Sequence, residues 1–241
     1  MAELTDIAAP TETAPGPAPA GAESKKGEVE VIDLTRPQQT ISRRMAESKA
    51  TAPHFYLRTE VDMSRAVELR NAWKNNAGDQ APSINDLVVK ATAAALRQHP
   101  RANGAWRNGR VELYSRINIG IVVATDGSMA VPTIGDADRK SLPEIAAESR
   151  LLAERVRNGQ ITPPELAGGT FSISNLGMFG VRSFDAVINA GQAGILAVGE
   201  ITPAGLMELS LSCDHRILFG ADGAKFLGEI RSNLEAPEAL G

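Results

Sequence analysis

Residues 117–124, INIGIVVA, are apolar at nearly every position. A strand facing water on one side alternates apolar with polar residues, so this run reads as a strand buried on both faces. Other strand-type segments accompany it. FSIS (171–174) and AGILAVGEI (193–201) are short apolar runs, and HFYLRTEVDM, starting at His54, is extended. MELSLSC (207–213) alternates, with Met207, Leu209, Leu211 and Cys213 facing one way and Glu208, Ser210 and Ser212 the other.

Helices are signalled between these runs. TISRRMAESKA has helical periodicity from near Thr40, and Ala66, Leu69 and Trp73 form a stripe after Asp62. Ser83 with Asp86 has capping-box spacing, and Ile84, Leu87, Val88, Ala91 and Ala95 then recur on one face. A third capped helix is expected from Ser141 and Glu144 through Ile145, Leu152 and Val156. A last one carries Ala224, Leu227, Ile230 and Leu234 after Gly220. The pattern predicts an α/β chain in which helices cover a mixed sheet.

The 241 residues give room for one sizeable domain and a tail. Residues 1–34 are rich in Ala, Pro and Gly and then charged, so they are expected to be disordered, with the folded domain over 35–241. The net charge of −4 points to neither nucleic acid nor an anionic membrane. The lone cysteine, Cys213, excludes a disulfide framework or a Cys-rich zinc site and fits a cytoplasmic protein. No signal peptide is expected, because the first ten residues carry Glu3 and Asp6 and lack a basic start followed by an apolar run; no membrane span is expected, because no apolar stretch approaches the roughly 20 residues a span needs.

The usual catalytic motifs are absent: no phosphate loop, no dinucleotide fingerprint, no H-E-x-x-H and no G-x-S-x-G. His54, His99 and His215 are too scattered to define a metal site. His99 precedes Pro100 and reads as a helix cap; His54 reads as structural. His215 stands where the alternating strand ends, between Asp214 and Arg216, before a turn into a helix. A side chain there can face a cleft from a rigid backbone, and imidazole suits proton transfer near neutral pH. On context alone a structural role for His215 stays open. Ser174, in GGTFSISNLGMFG, can present a donor to an oxyanion, yet Ser-Asn followed by glycine is also ordinary turn chemistry.

DHR (214–216) followed by GAD (220–222) resembles the signature of the acyltransferase component of 2-oxo acid dehydrogenase complexes. That family shares its fold with chloramphenicol acetyltransferase. QTISRRMAESKATAPHF, SINDLVVKATAAAL, NIGIVVATDGSMAVPTI and TFSISNLGMFGV resemble further family segments in the same order, so the similarity runs from about Thr35 to about Pro237.

The resemblance implies a chloramphenicol acetyltransferase-like α/β fold assembled as a trimer, with the active site in a channel between adjacent subunits. Coenzyme A enters from one end and the acceptor from the other. His215 would be the general base and Ser174 the donor to the oxyanion, contributed by different subunits, with no covalent acyl-enzyme. Asp214, Asn175, Arg44 and Phe219 occupy supporting positions. Acetyl-CoA is the expected acyl carrier, and no metal is implied.

Two departures from the family stand out. The polar residue that the family carries four positions after the histidine is Phe219 here, which leaves Arg43 or Arg44 without its usual partner. The 34 residues before the similarity are too few for a lipoyl or subunit-binding domain, so no lipoyl attachment is expected in this chain. These features lead to the expectation of a stand-alone O-acetyltransferase acting on a small-molecule hydroxyl, as in tetronate-type natural-product biosynthesis. The alternatives are the catalytic core of a 2-oxo acid dehydrogenase complex, served by a lipoyl domain in trans, and a non-catalytic trimeric scaffold.

Overall fold

A computed structural model describes residue 27, residues 29–125 and residues 127–240. The chain divides into two compact units, Met1–Thr35 and Arg36–Gly241. In the first unit the described residues form no helix or strand; the tail expected over 1–34 otherwise lies outside the described residues.

The second unit runs α1 (Arg36–Thr51), β1 (His54–Asp62), α2 (Ser64–Ala77), α3 (Ile84–Gln98), then the hairpin β2 (Gly104–Arg107) and β3 (Arg110–Leu113). It continues with β4 (Ile119–Ile121), β5 (Val123–Thr125), β6 (Ser128–Ala130), β7 (Thr133–Ile134) and α4 (Leu142–Arg157). The last elements are β8 (Phe171–Asn175), β9 (Gly194–Ile201), β10 (Leu206–Asp214) and α5 (Gly220–Glu235). None of the described helices is long and apolar enough to cross a membrane.

The main sheet has the order β1-β10-β9-β8-β4-β7. Strand β8 runs parallel to β9 and β4, while the other pairings are antiparallel. Helix α5 lies on one face. Its Phe226 meets Phe171 of β8 edge-on at 5.6 Å. A Cβ on Gly223 would stand 2.8 Å from Leu57 and 3.3 Å from the Cys213 sulfur, so the glycine allows α5 to approach β1 and β10 closely. Helix α3 begins as its spacing predicts: the Asp86 carboxylate accepts from the Ser83 N–H at 2.8 Å, and the Ser83 hydroxyl accepts from the Asp86 N–H at 3.2 Å. At the start of α4, Glu144 accepts from the Ser141 N–H at 2.8 Å.

Two expectations need correction. The first helix starts at Arg36, four residues before Thr40. INIGIVVA is not one strand: β4 ends at Ile121, and β5 turns out of the main sheet to pair with β6. β4 is buried throughout, whereas β5 has Val123 buried and Ala124 exposed, and an apolar run cannot reveal which neighbour its backbone pairs with. The two sides of the MELSLSC strand separate as its alternation predicts, and Ser210 and Ser212 are as buried as the leucines.

The cover over that serine side is the segment 181–192, which carries no helix or strand. It is strapped down by hydrogen bonds. The Ser210 hydroxyl donates to Asp185 at 2.5 Å, Ser212 to the Ala186 carbonyl at 2.7 Å, and Ser48 of α1 to the Ile188 carbonyl at 2.6 Å. Asn189 donates to Ser172 at 2.7 Å, and Ser172 to Gln192 at 2.8 Å. The strap passes so near Gly199 that a Cβ there would overlap the Arg182 carbonyl.

Candidate active site

His215 is the first residue past β10, and Asp214 builds the turn that presents it. The Asp214 carbonyl accepts from the N–H groups of Ile217 and Leu218 at 2.9 and 3.0 Å. Its buried carboxylate accepts from the Arg216 N–H at 3.0 Å and from the Arg216 guanidinium at 2.9 and 2.6 Å. Arg216 in turn lies over the Trp106 ring at 5.4 Å. Asp214 therefore shapes the turn and does not touch the imidazole. The His215 N–H donates to the Pro53 carbonyl at 3.0 Å, tying the turn to the entry of β1. The imidazole is exposed, and among the described residues neither ring nitrogen has a hydrogen-bond partner. Its contacts are aromatic: Phe55 at 4.6 Å and Phe219 at 5.8 Å between ring centroids.

The other two histidines are occupied. Nδ1 of His54 is 2.7 Å from the Ala52 carbonyl and Nε2 accepts from the Ile188 N–H at 3.2 Å, so both nitrogens are engaged, the second in fixing the strap. His99 closes α3, its N–H donating to the Ala95 carbonyl at 3.0 Å, and its ring packs on Phe226. Burial pushes the Cys213 thiol up to about 12, so it stays protonated at neutral pH and is no nucleophile.

Ser174 lies on the same side of the sheet as Ser172, Ser210 and Ser212, by the two-residue period of β8 and its register with β9 and β10. All four are buried. The other three hydroxyls are tied to the strap or its flanks, whereas the Ser174 hydroxyl, on a residue 8% exposed, has no partner among the described residues. Asn175 is engaged: its amide donates to Asn85 at 3.1 Å and its oxygen accepts from the Gly177 N–H at 2.9 Å. It holds the turn after β8, where Gly180 takes a left-handed φ of 73°. This GMFG segment forms the turn that its glycines suggest.

Within one chain the two principal residues do not meet. Ser174 is level with Ala197, and Ala197 with Ser210. His215 lies further along β10 and two strands across, a separation above about 15 Å from standard strand dimensions.

Arg43 and Arg44 form no ion pair among the described residues; Arg44 is exposed on α1 and lines a cavity of about 820 Å³ with Gly120, Thr133, Asn189 and Gln192. The arginine that does meet residue 219 is Arg101, whose guanidinium lies 5.5 Å from the Phe219 ring centre. Sequence reading passed over Arg101 and Phe55. Phe55 sits in an extended run with no chemical motif, and Arg101 reaches the site only because α3 ends beside the 217–219 turn. The strap was also missed, since VRSFDAVINAGQ has no strand or helix period.

The chain is 38% identical over 237 residues to an Arabidopsis thaliana protein, the dihydrolipoyllysine-residue acetyltransferase component 3 of the mitochondrial pyruvate dehydrogenase complex. The match covers 90% of this chain and 44% of that relative, so the chain spans less than half of its length. A solved dihydrolipoamide acetyltransferase from Azotobacter vinelandii, studied for the roles of a serine, a histidine and an asparagine in catalysis, superposes with a TM-score of 0.85. Identity there is 28%, covering 93% of this chain and 99% of that one. The cubic core of a pyruvate dehydrogenase multienzyme complex gives a TM-score of 0.84 at 29% identity, covering 93% of this chain and 99% of the core chain. Chloramphenicol acetyltransferase, at 15% identity, 85% and 99% coverage and a TM-score of 0.53, shares the fold. The family model for 2-oxoacid dehydrogenase acyltransferase catalytic domains matches residues 26–241, and the chain belongs to that family.

Proposed function

We propose that this chain transfers an acetyl group between coenzyme A and a dihydrolipoyl thiol carried on a domain outside residues 26–241. The observation that carries the reading is the free Ser174 hydroxyl on an otherwise fully hydrogen-bonded serine face, in a chain that also presents an unpartnered imidazole at His215. A hydroxyl without a ground-state partner is available to an oxyanion that exists only at the transition state. Those two free groups also argue against a scaffold without chemistry. The relatives favour the dihydrolipoyl acceptor over the small-molecule hydroxyl, and no feature of the site selects a hydroxyl acceptor.

In this mechanism His215 removes the proton from the attacking thiol of coenzyme A. The sulfur adds to the carbonyl of the acetyl-dihydrolipoyl thioester, and Ser174 donates to the oxygen as it becomes negative. The tetrahedral intermediate collapses by breaking the old carbon–sulfur bond, and the imidazolium returns its proton to the departing dihydrolipoyl thiolate. A base of this kind contributes about 10²–10⁴-fold. Because His215 and Ser174 stand far apart in one chain, the site is completed by His215 of one subunit and Ser174 of the next, in a trimer.

The test supplies acetyl-CoA with either dihydrolipoamide or a panel of small alcohols and follows coenzyme A release. Acetylation of dihydrolipoamide, abolished by His215→Ala in a folded protein, is the expected result. Turnover with an alcohol and none with dihydrolipoamide overturns the acceptor, and no turnover with either overturns the activity.

A further inference from the structure

We propose that Phe219 and Arg101 are positioning residues for His215, with Arg101 acting through Phe219. The inference rests on the reading of His215 as the general base. A base on an exposed turn must hold one orientation, since small misplacements of a reacting group lose rate steeply. Hydrogen bonds do not orient this imidazole, because its nitrogens have no partner among the described residues. What touches it is two rings from different elements: Phe55 of β1 at 4.6 Å and 54°, and Phe219 at the entry of α5 at 5.8 Å and 66°.

Phe55 is held by its strand, paired opposite Cys213. Phe219 is 51% exposed and needs something to keep it in place. Arg101 meets that need in two ways. Its guanidinium lies over the Phe219 ring at 5.5 Å, and it donates to the Ile217 carbonyl from Nε at 3.1 Å and Nη2 at 2.8 Å. One side chain thus fixes the backbone two residues after His215 and the ring four residues after it. Arg101 itself stands on a rigid base. It lies in the short turn Pro100–Ala102, between the end of α3 and Asn103, whose amide donates to the carbonyls of Tyr114 and Arg116 at 2.9 and 2.8 Å. A planar, delocalised guanidinium can stack and donate a fork of bonds together, which a lysine cannot reproduce. Where the family carries a polar residue, this chain orients its histidine by ring contact.

The experiment measures kcat, KM for acetyl-CoA and the folded fraction at assay temperature, using acetyl-CoA and dihydrolipoamide. The variants are His215→Ala, Phe219→Leu, Phe219→Tyr, Arg101→Met and the double Arg101→Met/Phe219→Leu. Per folded protein, Phe219→Leu and Arg101→Met should each lower kcat about tenfold or more with KM changed less than about twofold, because orientation and not binding is lost. Phe219→Tyr, which keeps the ring, should stay within about twofold of wild type. The double variant should be no slower than the slower single one, because both substitutions remove the same restraint. Losses that multiply in the double variant, or singles that keep wild-type kcat per folded protein while His215→Ala is inactive, overturn the positioning role alone. Wild-type kcat in folded His215→Ala overturns the general-base reading and this inference with it.

Discussion

At the residue scale the decisive property is which polar groups the fold leaves unpaired. Ser172, Ser174, Ser210 and Ser212 are chemically alike and all buried, yet only Ser174 has a hydroxyl without a partner among the described residues. Replacing it should therefore remove transition-state stabilisation and little folding stability. Ser174→Ala is expected to lower kcat by about 10²–10³-fold with coenzyme A affinity unchanged. Ser212→Ala should do the reverse, leaving the Ala186 carbonyl short of a donor and lowering stability by about 1–3 kcal/mol. Steady-state kinetics and thermal melts on the two variants check the contrast. A Ser174→Ala protein that keeps wild-type kcat removes the serine from the mechanism.

At the element scale the strap 181–192 covers the serine face without regular structure of its own, so its placement depends on close passages and side-chain hydrogen bonds. The closest passage is at Gly199 of β9, where a Cβ would overlap the Arg182 carbonyl, a backbone atom that cannot swing aside. Gly199→Ala should destabilise by about 1–3 kcal/mol or more through overpacking. Gly228, inside α5, meets nothing within 4 Å, and Gly228→Ala should stabilise by about 0.5–1 kcal/mol by removing chain entropy from a helix interior. Melting temperatures of opposite sign relative to wild type are the expected outcome. A neutral Gly199→Ala would mean the strap can lift from β9.

At the scale of the whole molecule, the separation of His215 from Ser174 means that the proposed mechanism needs two subunits for one site. Complementation tests this directly. His215→Ala and Ser174→Ala proteins should each be inactive alone. Dissociated, mixed in equal amounts and reassembled, they should regain about a quarter of wild-type activity, since about one neighbouring pair in four then joins an intact histidine to an intact serine. A site contained in one chain would regain nothing, because every chain would still lack one residue. Measuring activity against subunit concentration gives the same information from the other side: turnover per chain should fall on dilution as subunits separate.

The sequence by itself determined a good deal of this protein. Local signals are written in neighbouring residues, so the capping boxes at Ser83 and Ser141, the turn at Gly177–Gly180 and the strand ending before His215 are all where spacing puts them. The order of several motifs identified the family, and the occupied nitrogens of His54 and the cap at His99 agree with their reading as structural. Tertiary structure alone decided the rest. INIGIVVA divides between two sheets because an apolar run does not say which strand its backbone pairs with, and only long-range pairing decides that. Arg101 reaches Phe219 across more than a hundred residues of chain, and no local pattern encodes that contact. The difference between Ser174 and its neighbours is likewise invisible in sequence: a free hydroxyl is defined by where partners fail to arrive, and partners arrive only when distant segments pack.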